Sequence, residues 1–202
     1  MEKIGIFGGT FNPPHIGHLN IVSKFAEEFE LSRVLIIPTF VPPHKESPDL
    51  APADLRLAMC EATFEDSIYE VSRIEIDREG KSYTCDTLSA LHELFEDAEF
   101  YFLCGDDMLL SLHTWSRPKE ILKKCTIVAS VRSDDFSIDN LKEYAKEYFP
   151  DELGAGKIQF LPITPLPLSS SEIREKVKNW VAIDSLVTPK TLEIIMSGGL
   201  YL

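Results

Sequence analysis

The sequence predicts an α/β protein built on a mainly parallel sheet. Three observations carry that prediction. Short apolar runs recur along the chain, amphipathic helical segments separate them, and the segments that could do chemistry fall just after the apolar runs. Short apolar strands alternating with helices pack as parallel units with crossover helices. In such sheets ligands sit beyond the carboxyl ends of the strands, where the strand order reverses.

Residues 3–7 read as the first strand. A helix follows over 17–29, with Leu19, Val22, Phe25, Ala26 and Phe29 on one face. RVLIIP, residues 33–38, is a second buried strand, and the proline-rich loop TFVPPHKESPDLAP comes after it. Pro52 opens a helix that runs through Phe64. Residues 68–77 alternate as an extended segment, and 84–95 are helical. EFYFLC, 99–104, is a strand with a short helix after Gly105, and CTIVASV, 125–131, is another strand. Residues 138–149 are helical, 157–162 form the last strand, and helices over 170–181 and 190–197 close the chain. No repeat, low-complexity tract or linker interrupts this order. Residues 1–202 are therefore expected to form one domain, with the helices from about 170 packed on it.

Composition bounds the function. About 44% of the 202 residues are hydrophobic, enough for a core without staples. The formal charge is −13, which disfavours DNA, RNA and anionic membranes as partners. Phosphate binding would need a local cluster of donors. No apolar run approaches the ~18 residues of a membrane span, and the start is too soon broken by glycines to be a signal peptide. A cytoplasmic protein is expected. Cys60, Cys85, Cys104 and Cys125 form no CxxC pair and read as reduced, mostly buried thiols.

Six groups of residues could carry chemistry. Gly8, Gly9 and Thr10 follow the first strand, where glycines admit a ligand close to the backbone; a plain strand-to-helix turn explains them as well. His15 and His18 stand at a helix start, where free N–H groups and the helix dipole favour anions. A cation there opposes the dipole, so the pair contributes little to stability. Zinc is not indicated, because no HExxH pattern or third ligand is near. His44 and Lys45, in PPHK, add two phosphate-compatible donors on a stiff loop, although an exposed basic loop would look the same. SYTCDTL, 82–88, starts a helix that offers N–H groups to a carboxylate; its bland reading is a helix capped by Thr84 or Asp86. GDDMLLSLHTW, 105–115, offers carboxylates to ribose hydroxyls and Trp115 to an aromatic ring. SSSEIR, 169–174, fits a capping box through Ser169 and Glu172, and with Arg174 also suits a polyphosphate.

Their coincidence at strand ends implies two phosphate-bearing ligands meeting near the first helix start. GGTFNPPHIGHL resembles the (H/T)xGH signature of the nucleotidyltransferase superfamily, whose fold is a Rossmann-like, doubly wound sheet with helices on both faces. With PPHK, SYTCDTL, GDDMLLSLHTW and SSSEIR in order over residues 4–174, the chain resembles the bacterial nicotinate-mononucleotide adenylyltransferases. The resemblance implies adenylyl transfer from ATP to nicotinate mononucleotide, giving deamido-NAD and pyrophosphate, with Mg²⁺ carried in on ATP. It implies that Gly8, Gly9, Thr10 and Phe11 line the ATP site and that Gly105 and Asp107 contact ribose. Ser169, Ser171 and Arg174 would hold the triphosphate. His15 and His18 would grip the ATP phosphates, His18 as the main transition-state donor, best as a protonated imidazole. His44 and Lys45 would meet the mononucleotide phosphate, Tyr83 and Thr84 the nicotinate carboxylate, and Trp115 the pyridine ring. Arg132 is a weaker match because serine follows it, Asn12 replaces the commoner Asp, and His113 receives no role. Use of the amide mononucleotide and a non-catalytic sensor on the same fold are the alternatives. A homo-oligomer is left open.

Overall fold

The computed structural model describes residues 1–41, 49–130, 137–163 and 166–202. Six strands form one sheet: β1 (Glu2–Gly9), β2 (Arg33–Pro38), β3 (Tyr69–Val71), β4 (Ala98–Gly105), β5 (Thr126–Ser130) and β6 (Ile158–Leu161). Their order is β3-β2-β1-β4-β5-β6, and every neighbouring pair is parallel. The chain runs outward from β1 to β3, then returns to β4 on the other side of β1. The switch point therefore lies between β1 and β4, and Gly8 and Gly9 end β1 beside it.

The helices are α1 (Ile16–Glu28), α2 (Ala53–Thr63), α3 (Ile74–Arg78), α4 (Thr84–Leu94), α5 (Asp106–Leu110), α6 (Pro118–Lys124), α7 (Ile138–Tyr148), α8 (Pro150–Gly154), α9 (Ser170–Lys178) and α10 (Pro189–Ser197). Alternate strand residues divide them between two faces, as the period of a strand requires. Ile4, Ile6, Leu35, Phe100, Phe102 and Ile127 pack against α4, α6 and α7 through Leu88, Leu91, Ile121, Leu122 and Leu141. Phe7, Val34, Ile36, Leu103 and Val128 pack on the other face against Val22 and Phe25 of α1 and Cys60 of α2. A third cluster joins Met59 of α2 to Ile173 and Val177 of α9 and Ile195 of α10. Thr63 and Thr191 hydroxyls meet at 2.7 Å inside it. This cluster sets α9, and hence its amino terminus, beside the end of β1.

Gly5 sits beneath Phe25 of α1 and Leu31 of the turn that follows it. A Cβ there would stand 2.6 Å from Leu31 Cδ1 and 2.8 Å from Phe25 Cε1, both on buried side chains. Gly5→Ala is expected to cost about 1–3 kcal/mol through overpacking. Calorimetry checks this: the thermal midpoint should fall by several degrees, and an unchanged midpoint would show that α1 can shift outward freely.

The structure departs from the sequence reading in two places. Residues 68–77 are not one extended segment: β3 is a three-residue edge strand, and α3 follows. Ser72 N–H makes the last contact to β2, at Ile36 O, 2.9 Å. Arg73 then bonds Asp77 at 3.2 Å, an i,i+4 pair that a helical turn brings together. The short helices α6 and α8 were not anticipated; each starts with proline at its first position and is too brief to show a periodic stripe. Residue 131, placed in the fifth strand, lies outside the described residues. All four cysteines are buried as thiols, outside any disulfide.

Candidate active site

A cleft of about 990 Å³ opens at the carboxyl ends of β1 and β4. The loop after β1 forms its floor and is held from several sides. Phe11, at φ 49°, packs its ring edge-on to Phe7 at 5.4 Å. Asn12 is 3% exposed and acts as a junction. Its Oδ1 accepts from Ala51 N–H at 3.0 Å and from Tyr201 Oη at 2.8 Å, while its Nδ2 donates to Asp49 O at 2.9 Å. A carboxylate could not make that last donation, so the Asn in place of the commoner Asp has a structural consequence.

His15 caps α1 and His18 is its third residue. The rings lie 3.7 Å apart at 32°. Gly17 permits this, since a Cβ on it would stand 2.9 Å from His15 Nδ1. The backbone N–H of His15 donates to His18 Nδ1 at 3.1 Å. His18 therefore keeps its lone pair at Nδ1 and presents one N–H, at Nε2.

The opposite wall is the amino terminus of α9. Its capping box is complete: Glu172 N–H donates to Ser169 Oγ at 3.2 Å, and Ser169 N–H to Glu172 Oε2 at 2.8 Å. The Ser169 hydroxyl and N–H hold the Glu172 carboxyl below its ordinary pKa. Ser170 Oγ donates to Pro13 O at 2.8 Å, docking the helix on the β1 loop. Arg174 donates to Asn12 O at 2.9 Å and to Ser171 Oγ at 3.2 Å, and its Nε is buried with no protein partner among the described residues.

Beyond the end of β2, α4 begins at Thr84, with Tyr83 at the cap position and no side chain capping it. The alternative of a cap by Thr84 or Asp86 is not realised, and Asp86 pairs with Arg117 instead. Tyr83 N–H is committed to Lys81 O at 3.1 Å, whereas Thr84 N–H belongs to the first turn, which has no intrahelical acceptor. Trp115 lines the cleft with its Nε1 bonded to Ser111 Oγ at 3.2 Å and Phe102 edge-on at 6.3 Å. Asp107 also lines the cleft. Gly105 does not: it is buried as the cap residue of α5. Asp106 turns inward, where its Oδ1 accepts Asp107 N–H at 2.9 Å.

Thus Gly8, Gly9, Thr10, Phe11, His15, His18, Tyr83, Thr84, Asp107, Trp115, Ser169, Ser171 and Arg174 share one cleft. His44, Lys45 and Arg132 lie outside the described residues. Sequence reasoning missed Glu75 and Arg56. Glu75 is 6% exposed in the cleft wall, with Oε1 accepting from Thr87 Oγ1 at 2.6 Å. Burial pushes its carboxyl above the ordinary range, against the pull of Thr87, Ser82 and Arg78. The signal for Arg56 was present: it occupies the apolar stripe 56, 59, 60 and 63 of α2, where a charged residue is out of place.

A switch-point cleft with two facing histidines on one helix start and serines and an arginine on another has the donors that a phosphate-bearing ligand needs. Residues 6–176 match the family model described as cytidylyltransferase-like. The chain is 39% identical over 202 residues to the probable nicotinate-nucleotide adenylyltransferase of Dictyoglomus thermophilum, covering 99% of this chain and 100% of that one. It is 40% identical over 195 residues to the protein of the same name from Fusobacterium nucleatum, covering 96% of each. Among solved structures, the Plasmodium falciparum nicotinic acid mononucleotide adenylyltransferase complexed with NaAD aligns with a TM-score of 0.76 at 18% identity, covering 100% of this chain and 98% of that one. That likeness speaks for the fold. The chain belongs to the cytidylyltransferase-like family and, within it, to the nicotinate-nucleotide adenylyltransferases.

Proposed function

We propose that this enzyme transfers the adenylyl group of ATP to nicotinate mononucleotide, releasing pyrophosphate, and that residues 1–202 act as one domain in doing so. The observation that carries the reading is the single cleft, with phosphate donors around β1 and α9 and a carboxylate-and-ring site around α4 and Trp115. The mononucleotide phosphate oxygen attacks the α-phosphorus of ATP. The new P–O bond forms as the bond to the β-phosphate oxygen breaks, and pyrophosphate leaves. The attacking oxygen is already anionic, so no general base is required. The protein's work is alignment and charge stabilisation.

In this assignment Gly8, Gly9, Thr10 and Phe11 receive ATP, Asp107 accepts from a ribose hydroxyl, and Ser169, Ser171 and Arg174 hold the triphosphate. His18 Nε2–H and His15 face the reacting phosphates. Thr84 N–H meets the nicotinate carboxylate, Trp115 stacks on the pyridine, and His44 and Lys45 take the mononucleotide phosphate. Mg²⁺ would arrive on the ATP phosphates and neutralise their charge.

The test is pyrophosphate release from ATP and Mg²⁺ with nicotinate mononucleotide and nicotinamide mononucleotide in parallel. Release with the acid well above the amide is expected. Equal release would discard the carboxylate site, and no release would discard the reaction. Trp115→Ala should raise the mononucleotide KM about tenfold, the scale of one lost stacking contact, and leave the ATP KM unchanged. An unchanged mononucleotide KM in steady-state assays would remove Trp115 from that subsite.

A further inference from the structure

We propose that Arg56 is a positioning residue for the transfer, fixing the spacing between the two halves of the cleft; this rests on the function proposed above. Its side chain is 1% exposed. Nε donates to Ala51 O at 2.9 Å, Nη1 to Thr10 O at 2.9 Å and Thr39 O at 2.6 Å, and Nη2 to Phe40 O at 3.0 Å. Thr10 belongs to the loop given to ATP. Thr39 and Phe40 extend β2. Phe40 N–H donates onward to Ser82 Oγ at 3.2 Å, and Ser82 leads directly into Tyr83 and Thr84. One guanidinium thereby connects the nucleotide loop to the turn assigned to the pyridine nucleotide.

The placement is costly, which argues that it is more than filler. No carboxylate pairs with Arg56 among the described residues, and burial pulls its pKa below that of an ordinary arginine. An apolar residue would fill the stripe beside Met59 and Cys60 without burying a charge. What it could not do is satisfy four carbonyls from three separate chain segments. A planar fork with five donors can; a lysine, with three donors on one atom, cannot reach all of them. Substrate contacts in each half would survive the loss of this clamp, whereas alignment between the halves would not.

The experiment compares wild type, Arg56→Lys and Arg56→Gln in steady-state pyrophosphate release with both substrates varied, corrected for folded fraction by circular dichroism. Arg56→Gln should lower kcat about 10²-fold, the scale of a 1 Å misalignment, with both KM values within about threefold; Arg56→Lys should recover part of that loss. An unchanged kcat per folded molecule would make Arg56 a packing residue, and a change confined to one KM would make it part of one subsite. Either overturns the proposal. Should the Arg56 variants fail to fold, Ser82→Ala cuts the Phe40 link with the guanidinium left in place. It should lower kcat about tenfold at constant KM, and an unchanged kcat would overturn the clamp. Absence of release from the wild type sinks the proposed reaction instead, so the two failures are distinct.

Discussion

His18→Ala should lower turnover by at least about 10²-fold, or roughly 2.7 kcal/mol of transition-state stabilisation. The ring has two separable jobs. Nδ1 accepts the His15 backbone N–H at 3.1 Å, which is a capping contact, while Nε2–H is the group assigned to the reacting phosphates. Removing a cap costs about 1 kcal/mol of stability and by itself leaves the turnover of folded molecules intact. His18→Asn separates the jobs, because its amide oxygen stands near the Nδ1 position but nothing replaces Nε2–H. We expect His18→Asn to recover the thermal midpoint lost in His18→Ala and to stay as inactive. His18→Gln should do the reverse in part, since its amide nitrogen reaches toward the Nε2 position. Pyrophosphate release and calorimetry on the three variants decide the matter. Near-normal turnover in His18→Asn would reduce His18 to a helix cap.

What was legible in the sequence follows from which forces act locally. Apolar runs such as RVLIIP and EFYFLC are buried on both faces, and such runs announce themselves. The S-x-x-E box at Ser169 is likewise a contact between neighbours in the chain, and it forms as its spacing implies. Edge strand β3 has one partner instead of two, so its end is set by tertiary contacts that EVSRIEID does not encode. The start of α4 is governed by a similar long-range contact. Asp86 has a local use available, but Arg117, thirty-one residues away, takes it.

The site divides in the same way. Residues that would touch a ligand stood out because glycines, histidines and serines cluster after strands. Residues that hold those groups in place did not. Asn12, Arg56 and Tyr201 make their contacts over separations of 5 to 189 residues. Arg56 leaves a trace as a charge on the buried face of α2, and Asn12 only as a departure from the commoner Asp. Tyr201 shows the consequence: its hydroxyl reaches Asn12 from the last residues of the chain, and burial raises its pKa so that it remains a donor. The β1 loop is thus shaped from the far end of the sequence as much as from its own glycines.

That dependence sharpens the prediction for Arg174. Arg174→Lys should lower kcat/KM for ATP by about 10²–10³-fold and leave the mononucleotide KM nearly unchanged, the scale of losing an electrostatic contact made in the transition state. The guanidinium already spends Nη1 on Asn12 O and Nη2 on Ser171 Oγ, and its Nε is buried without a protein partner. An arginine can dock α9 and still offer donors to a phosphate. A lysine keeps the charge but has a single nitrogen, which must choose between the carbonyl and the phosphate. Loss of activity could also arise because α9 comes away from the loop. Ser170→Ala tests that route, since it removes the other tie between them, Ser170 Oγ to Pro13 O, with Arg174 unaltered. If docking were the whole of Arg174's role, Ser170→Ala would show a comparable fall in kcat/KM for ATP. We expect it to lose less than about threefold, below the ~10-fold that a 1.4 kcal/mol change would bring. Steady-state kinetics with ATP varied at saturating mononucleotide make the comparison, and equal losses in the two variants would move Arg174 from the phosphate site to the scaffold.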